Sequence, residues 1–61
     1  MTEKDFEVLL ADAIWEEVEE REGQSVDIRS FEEAGILTYN KGLVVRLKDG
    51  TEFQLTIVRS N

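Results

Sequence analysis

The side chains most able to do chemistry are the carboxylates of residues 15–23, which read WEEVEEREG. A pair of carboxylates can act as general acid and base where a cleft raises the pKa of one of them. Carboxylate oxygens also bind Ca²⁺, but this ion takes about six to eight oxygens, usually from a pre-shaped loop. One helix face supplies few of these ligands, so a divalent-cation site on Asp12, Glu16 and Glu19 has little support. We expect neither a metal ion nor any other cofactor.

Catalysis by other groups is poorly supported as well. The chain has no His and no Cys, which excludes disulfides, imidazole or thiolate zinc sites, and catalysis by either side chain. It has no Gly-rich phosphate-binding loop and no obvious nucleophile next to a base. We therefore expect that the protein is not an enzyme.

The negative charge is concentrated in the first third of the chain. The net charge is −7, and residues 1–22 hold nine acids and two cations, whereas residues 23–61 hold five of each. Such an asymmetry informs about partners rather than about the fold. Direct binding to nucleic acid or to an anionic membrane is unfavourable, because each phosphate contact requires a cation. The expected partner is instead a protein with a basic surface.

Length and hydropathy predict a single domain over residues 1–61, located in the cytoplasm. No stretch approaches the roughly 18 apolar residues of a membrane span. The N-terminal MTEKDF lacks the basic and then apolar pattern of a signal peptide. A chain this short buries only about 60% of the surface that it exposes when unfolded, so its stability is marginal. Self-association into a homodimer is one remedy for a small core.

The first segment is predicted to be a helix over residues 3–22. Thr2 and Asp5 form a capping-box-like T-x-x-D at its start, and Gly23 suits the left-handed position just beyond its end. Apolar residues at helical spacing predict the stripe that packs on the core. That stripe consists of Phe6, Leu10, Ala13, Ile14 and Val18, with Leu9 alongside.

The residues outside this stripe form a mixed outer face. At about 100° per residue, four acids align in one row along the helix, and two large apolar side chains flank the row. We call the row the acidic ridge: Asp5, Asp12, Glu16 and Glu19, flanked by Val8 and Trp15. Carboxylates near the C-terminal end of a helix oppose its dipole, which indicates a constraint other than helix stability. The residues predicted to bind a partner are Asp5, Val8, Asp12, Trp15, Glu16, Glu19 and Glu20.

These features also have a simpler explanation. A charged outer helix face is usually just solvated, since Glu favours helices and keeps a small protein soluble. Trp15 can fold over the edge of the core instead of anchoring a partner. The sequence alone leaves both alternatives open.

Weaker signals lie between the helix and the sheet. Alternating apolar and charged residues over 26–29 permit a short edge strand. Ser30 as N-cap, Glu33 reaching back and Gly35 as terminator predict one helical turn. Phe31 in that turn is expected to plug one end of the core.

The last part of the chain predicts a three-stranded antiparallel meander, with strands near residues 36–39, 43–48 and 51–58. Three-residue loops with a bulge glycine at Gly42 and Gly50 put the apolar residues of all three strands on one face. Both loops agree on this inner face, so register and pattern support each other. The inner face is predicted to be Leu37, Tyr39, Leu43, Val45, Leu47, Phe53, Leu55 and Ile57.

The predicted fold is therefore α+β, with one N-terminal helix packed on a three-stranded antiparallel β-meander (αβββ). In size, acidity and this architecture, without a shared motif, the chain resembles the small accessory proteins of bacteriophages and prophages. Some proteins of that group inhibit a host nucleic-acid-binding protein by presenting carboxylates where it expects phosphates. The resemblance implies such a role for the acidic helix in a bacterial cell, and it identifies no functional residues.

Two functional hypotheses follow from these observations. In the first, the protein is an interaction module that docks its acidic helix on a basic protein surface. In the second, it is a self-associating structural domain with no separate biochemical activity, and its acids serve solubility. The contacts of that dimer would be Val8 and Trp15 on the helix, or Ile36, Val44 and Val58 on the sheet.

Overall fold

The computed structural model describes residues 1–22 and 26–61. A single helix, α1 (Glu3–Glu22), is followed by strands β1 (Asp27–Ser30), β2 (Lys41–Arg46) and β3 (Glu52–Ile57). The strands form an antiparallel sheet in the order β1-β2-β3. Helix α1 packs mainly on β2 and β1. The predicted α+β fold, one N-terminal helix on a three-stranded antiparallel meander, is confirmed.

Helix α1 begins at the predicted capping box. The backbone N–H of Asp5 donates to Thr2 Oγ1 at 3.1 Å, and the N–H of Thr2 donates to Asp5 Oδ2 at 3.1 Å. Two N–H groups that have no partner within the helix are satisfied in this way. The predicted cap at Gly23 lies outside the described residues.

The helix is rotated relative to the predicted apolar stripe. Leu10, Ile14 and Val18 pack against the core as predicted, together with Ala11. The prediction is wrong for three other members, which are exposed: Phe6, Leu9 and Ala13. Their place is taken by Glu7, which is only 3% exposed. Relative to the prediction, the helix is rotated by about 60° about its axis, and this rotation buries the Glu7 carboxylate. The burial is tolerated because hydrogen-bond partners are present at the buried position.

The short edge strand is present as β1 and is the first strand of the meander. Its last residue, Ser30, pairs with Leu43 of β2. Ser30 also caps the following turn: its Oγ accepts the N–H of Glu33, and Glu33 Oε1 accepts the N–H of Ser30, both at 3.1 Å. Gly35 ends the turn with φ of 75°. The predicted cap and terminator are confirmed, and Phe31 in this turn is buried as expected.

The predicted strand at residues 36–39 is wrong. This segment has no regular structure, and both Leu37 and Tyr39 are fully exposed instead of buried. The reason is that β1 already occupies the side of β2 on which this segment would pair. The predicted three-residue loop ending at Gly42 is wrong for the same reason.

Gly42 instead lies inside β2, opposite Thr56. A Cβ atom at this position would overlap the carbonyl oxygen of Leu55 and the ring of Phe31. A glycine is therefore required here by the close approach of an aromatic ring and a neighbouring backbone, and not by a turn.

The β2–β3 hairpin has the predicted register. Val45 lies opposite Phe53, and Arg46 lies opposite Glu52 with a salt bridge of 2.9 Å. The loop glycine, Gly50, has φ of 92°, as a three-residue loop with a glycine bulge requires. The strands are shifted slightly from the predicted bounds: they span Lys41–Arg46 and Glu52–Ile57, where the sequence predicts 43–48 and 51–58.

The core is small and lies between α1 and the first two strands. Its fully buried members are Val26, Leu43 and Val45, and partly buried apolar side chains surround them. Leu47, Leu55 and Ile57 of the predicted inner face are half-buried. Phe53 shares their face but is 54% exposed, because α1 covers β1 and β2 and leaves β3 largely uncovered.

Candidate functional site

The acidic ridge lies on the side of α1 that points away from the sheet. The core-packed side chains centre on Glu7 and Ile14, and the ridge lies roughly 180° from them around the helix axis. Every residue predicted to bind a partner is exposed: Asp5, Val8, Asp12, Trp15, Glu16, Glu19 and Glu20. The structure thus brings the predicted residues together on one accessible helix surface.

Asp5 differs from the other ridge members because its carboxylate has a structural partner. Its Oδ2 accepts the N–H of Thr2 in the capping box, and this bond secures the start of the helix. A contact that Asp5 made with a partner would compete with that cap. Within the described residues, no hydrogen bond of this kind holds the carboxylates of Asp12, Glu16 and Glu19, or that of Glu20 beside them.

Two large apolar side chains stand next to the acids. Val8 is 50% exposed and Trp15 is 45% exposed. They lie one above the other at i and i+7, two helical turns apart, on the same flank of the ridge. The indole ring is half accessible, so an aromatic surface and carboxylates are presented together.

The cations of α1 do not neutralise the ridge. Lys4 Nζ donates to Glu7 Oε1 at 3.0 Å, and Arg21 Nε donates to Glu17 Oε1 at 2.6 Å. The hydrogen bond to Glu7 and the charge of its carboxylate raise the pKa of Lys4 above its ordinary value of 10.5. Within the described part of the chain, no ridge carboxylate has a salt bridge. The ridge is therefore a row of uncompensated negative charges.

The arrangement of these acids gives no basis for a metal centre. Among the described residues, no group of three or more His, Cys, Asp or Glu side chains could hold a metal ion. The ridge acids are three or more residues apart along the helix, and each is exposed to solvent.

A second feature, which the sequence prediction missed, is the buried carboxylate of Glu7. It lies at the inner wall of a surface cleft of about 710 Å³ whose lining includes Phe31, Tyr39 and Lys41. Glu7 Oε2 accepts the N–H of Gly42 at 3.3 Å, and its other oxygen accepts from Lys4. Both oxygens of Glu7 are thus already bound, so this buried carboxylate is not available to a ligand in the cleft.

A signal for Glu7 was present in the sequence. Leu10, Ile14 and Val18 follow it at i+3, i+7 and i+11, which is the spacing of the core stripe itself. An acid at such a position indicates either a strained helix or a buried carboxylate with partners. The partner could not be read from the sequence, because it is the backbone N–H of a residue 35 positions away.

Comparison with known proteins does not assign the chain to a family. No protein-family model, no curated protein and no solved structure matches it. Among the described residues, the single long helix is too polar to cross a lipid bilayer.

Proposed function

We propose that the protein is an interaction module that docks the outer face of α1 on a basic protein surface. The observation that supports this most directly is the composition of the exposed helix face. Uncompensated acids and a half-exposed tryptophan occupy one side of the helix, and the sheet occupies the other. Both kinds of group are typical of a recognition surface: charge guides the encounter, and an aromatic ring anchors the complex.

The energetics of the helix favour this proposal over simple solubility. Asp12, Glu16 and Glu20 form like-charge i,i+4 pairs, each of which destabilises a helix by a few tenths of a kcal/mol. The acids nearest the C-terminal end also oppose the helix dipole. If the acids served only solubility, they could equally be placed on the sheet or in the loops, where neither penalty applies. Cations of a partner would remove the repulsion on binding.

The partner class that fits best is a nucleic-acid-binding protein. Its basic groove is built to bind oxygen anions in a row, and the ridge offers a row of carboxylates separated by about one to two helical turns of 5.4 Å. The protein would then act as a mimic that occupies the groove and excludes nucleic acid. This is the role that the small phage accessory proteins suggest.

Two triple variants with equal charge test the proposal. One replaces Glu16, Glu19 and Glu20 by Gln, and the matched control replaces three acids outside the ridge, Glu3, Glu17 and Glu32, by Gln. Both variants lose three negative charges, so a difference between them reports position and not net charge. Gln preserves shape and helix propensity.

The experiment captures partners from an extract of the native host on each immobilised protein, and then titrates the purified partner. Trp15 is the only tryptophan, so its fluorescence reports binding at the ridge directly. We expect the wild type and the control to bind, the ridge variant to bind weakly, and added duplex DNA or raised salt to release the partner. Equal binding by the two variants, or binding that DNA and salt do not affect, would contradict the proposal.

A further inference from the structure

Among the described residues, strand β3 is an edge strand that pairs on one side only. The sheet order is β1-β2-β3, so β2 covers only one side of β3. At the hairpin end, Leu47 N–H donates to the carbonyl oxygen of Thr51 at 2.8 Å. Hydrogen-bonded and non-hydrogen-bonded pairs alternate along an antiparallel ladder. The odd-numbered residues of β3 therefore direct their N–H and C=O groups toward β2. The peptide groups of Gln54 and Thr56 therefore point outward, to solvent.

Beside this edge lies an apolar trough. Phe6 and Ile57 line the same surface cavity of about 450 Å³, which places this flank of α1 next to β3. Phe6 is 43%, Leu9 49% and Phe53 54% exposed. We call these three residues, with the half-buried Leu55 and Ile57, the β3 trough.

The trough begins where Phe6 and Ile57 line one cavity and extends along β3 through Leu55 and Phe53. Helix α1 ends near the start of β1, since only a short segment of chain separates them, and Asp27 is level with Arg46 and Glu52. The helix and β3 therefore run in opposite directions. Leu9 follows Phe6 along the helix, and Leu55 and Phe53 follow Ile57 along the strand, in the same direction from the shared cavity.

Strand β3 also lacks the features that protect edge strands. Natural edges usually carry Pro, Lys, a bulge or a covering element. The sequence of β3, EFQLTI, has none of these residues. Its only charged side chain, Glu52, is bound to Arg46 of its own sheet.

We propose that the β3 edge is the contact surface of a homodimer, in which two β3 strands pair antiparallel about a two-fold axis. With Leu55 opposite its own copy, Gln54 lies opposite Thr56 of the second chain. Their outward peptide groups can then form hydrogen bonds, about two for each such pair. The same register sets Phe53 opposite Ile57 of the second chain, an aromatic and β-branched pair that stabilises antiparallel strands. One symmetric register thus satisfies backbone and side chains together.

The area supports a second copy as the occupant. Two Phe side chains that are half exposed leave roughly 200 Å² of apolar surface open in each chain. A stable interface buries about 800 Å² per partner, roughly one sixth of the 4793 Å² surface of the chain. The trough and the six-residue edge together approach the lower end of the size range. A weak, reversible dimer is expected, because interfaces of this size are typical of transient contacts.

The dependence on salt concentration distinguishes this dimer contact from the proposed binding at the acidic ridge. The acidic ridge is centred on the outer side of α1, whereas the trough lies on its β3 flank, so the two contacts involve different residues. Each chain carries a net charge of −7, and two copies repel each other. Salt screens that repulsion, so the dimer should tighten as salt rises, whereas binding at the ridge should weaken.

The test is sedimentation of the full chain from about 10 µM to about 1 mM, at low and high salt. The interface variant is Phe53→Lys, and the matched control is Tyr39→Lys, at a fully exposed aromatic residue outside the trough. Both changes replace an aromatic ring by the same charged side chain. We expect the dissociation constant of the wild-type dimer to fall as salt rises. It should be at least tenfold higher for Phe53→Lys and unchanged for Tyr39→Lys.

A second measurement uses only the wild type and does not depend on how a variant folds. Amide hydrogen exchange at Gln54 and Thr56 should slow as protein concentration rises, since their N–H groups point outward in the monomer. A monomer at about 1 mM, equal weakening by the two variants, or exchange at Gln54 and Thr56 that is independent of concentration would overturn the proposal.

Discussion

Glu7 Oε2 accepts the backbone N–H of Gly42 at 3.3 Å, and this hydrogen bond joins helix α1 to the central strand. The N–H of Gly42 would otherwise lack a strand partner, because the carbonyl oxygen of Phe31, opposite it, accepts from Ile36. The carboxylate thus completes the sheet at the point where β1 ends. Its other oxygen binds Lys4, so its charge is balanced although the side chain is buried.

Removing this carboxylate should destabilise the fold. Glu7→Ala leaves the N–H of Gly42 buried without a partner, which costs about 1–3 kcal/mol, although Ala favours helices. Glu7→Gln keeps an acceptor and should cost less. Urea unfolding measures the difference, and Glu17→Ala, at an exposed site on the same helix, is the control. If Glu7→Ala is no more harmful than Glu17→Ala, the bond to Gly42 does not contribute to stability.

Position 42 should tolerate no side chain. Gly42→Ala drives a methyl group into the ring of Phe31 and the backbone of Leu55, and overpacking of this kind costs about 1–3 kcal/mol or more. Gly35→Ala is the comparison, because its neighbourhood is open and only its φ of 75° opposes a side chain. Thermal melting should show the larger loss for Gly42→Ala. The reverse order would mean that Phe31 does not pack on Gly42.

Two leucines separate the observed core from the predicted one. Leu43 is fully buried, and Leu43→Ala should lower the free energy of unfolding by about 2–5 kcal/mol, enough to unfold much of a domain this small. Leu37 is fully exposed, and Leu37→Ala should change it by less than about 0.5 kcal/mol. Chemical denaturation of both variants checks this. A similar loss of unfolding free energy at the two positions would mean that residues 36–39 do pack in the core.

Stability should fall in acid, partly through two carboxyl groups. Hydrogen bonds from the backbone and side chain of Ser30 hold the pKa of Glu33 below its ordinary 4.5, and those from Thr51 hold the pKa of Asp49 below 3.8. A lowered pKa favours the folded state above the ordinary value, and this contribution is lost as pH falls through the folded pKa. The contribution is therefore present at neutral pH and is lost in acid, as pH falls through the lowered pKa of each group.

A single substitution assigns the pKa shift of Asp49 to its cause. Thr51→Val removes the hydroxyl, so the pKa of Asp49 should rise toward its ordinary value, whereas that of Glu33 should stay low. Carboxyl titration by NMR follows both groups in one sample, and Glu33 serves as the internal control. A Glu33 that shifts equally would indicate a general loss of structure instead.

Local signals in the sequence predicted most of the fold. The caps at Thr2 and Ser30, the bulge glycine at Gly50 and the register of β2 with β3 each depend on residues a few positions apart. Such patterns report their own geometry directly, since turn type and alternation determine the register of a hairpin. The exposed acidic face of the helix followed from helical spacing alone.

The errors concern contacts between distant parts of the chain. Gly42 has the same sequence signature as a loop glycine, and only the ring of Phe31 beside it shows why a glycine stands there. Glu7 interrupts an apolar stripe, and only its distant partner Gly42 makes its burial favourable. Tyr39 has a high strand propensity, but the edge of β2 with which its segment would pair is occupied by β1. In each case a tertiary contact outweighed a local preference.

The order of the strands along the sheet has a consequence for how quickly the chain reaches its folded state. Because each strand pairs with its neighbour in sequence, most of the sheet forms by closing short loops, which costs little chain entropy. The β2–β3 hairpin, closed by a three-residue loop, can form on the order of 1–10 µs. Docking of α1 brings together Glu7 and Gly42, which are 35 residues apart, and is the slowest closure. The folding barrier is therefore expected to lie at the docking of the helix, and a substitution at Glu7 should slow folding more than one in the hairpin loop.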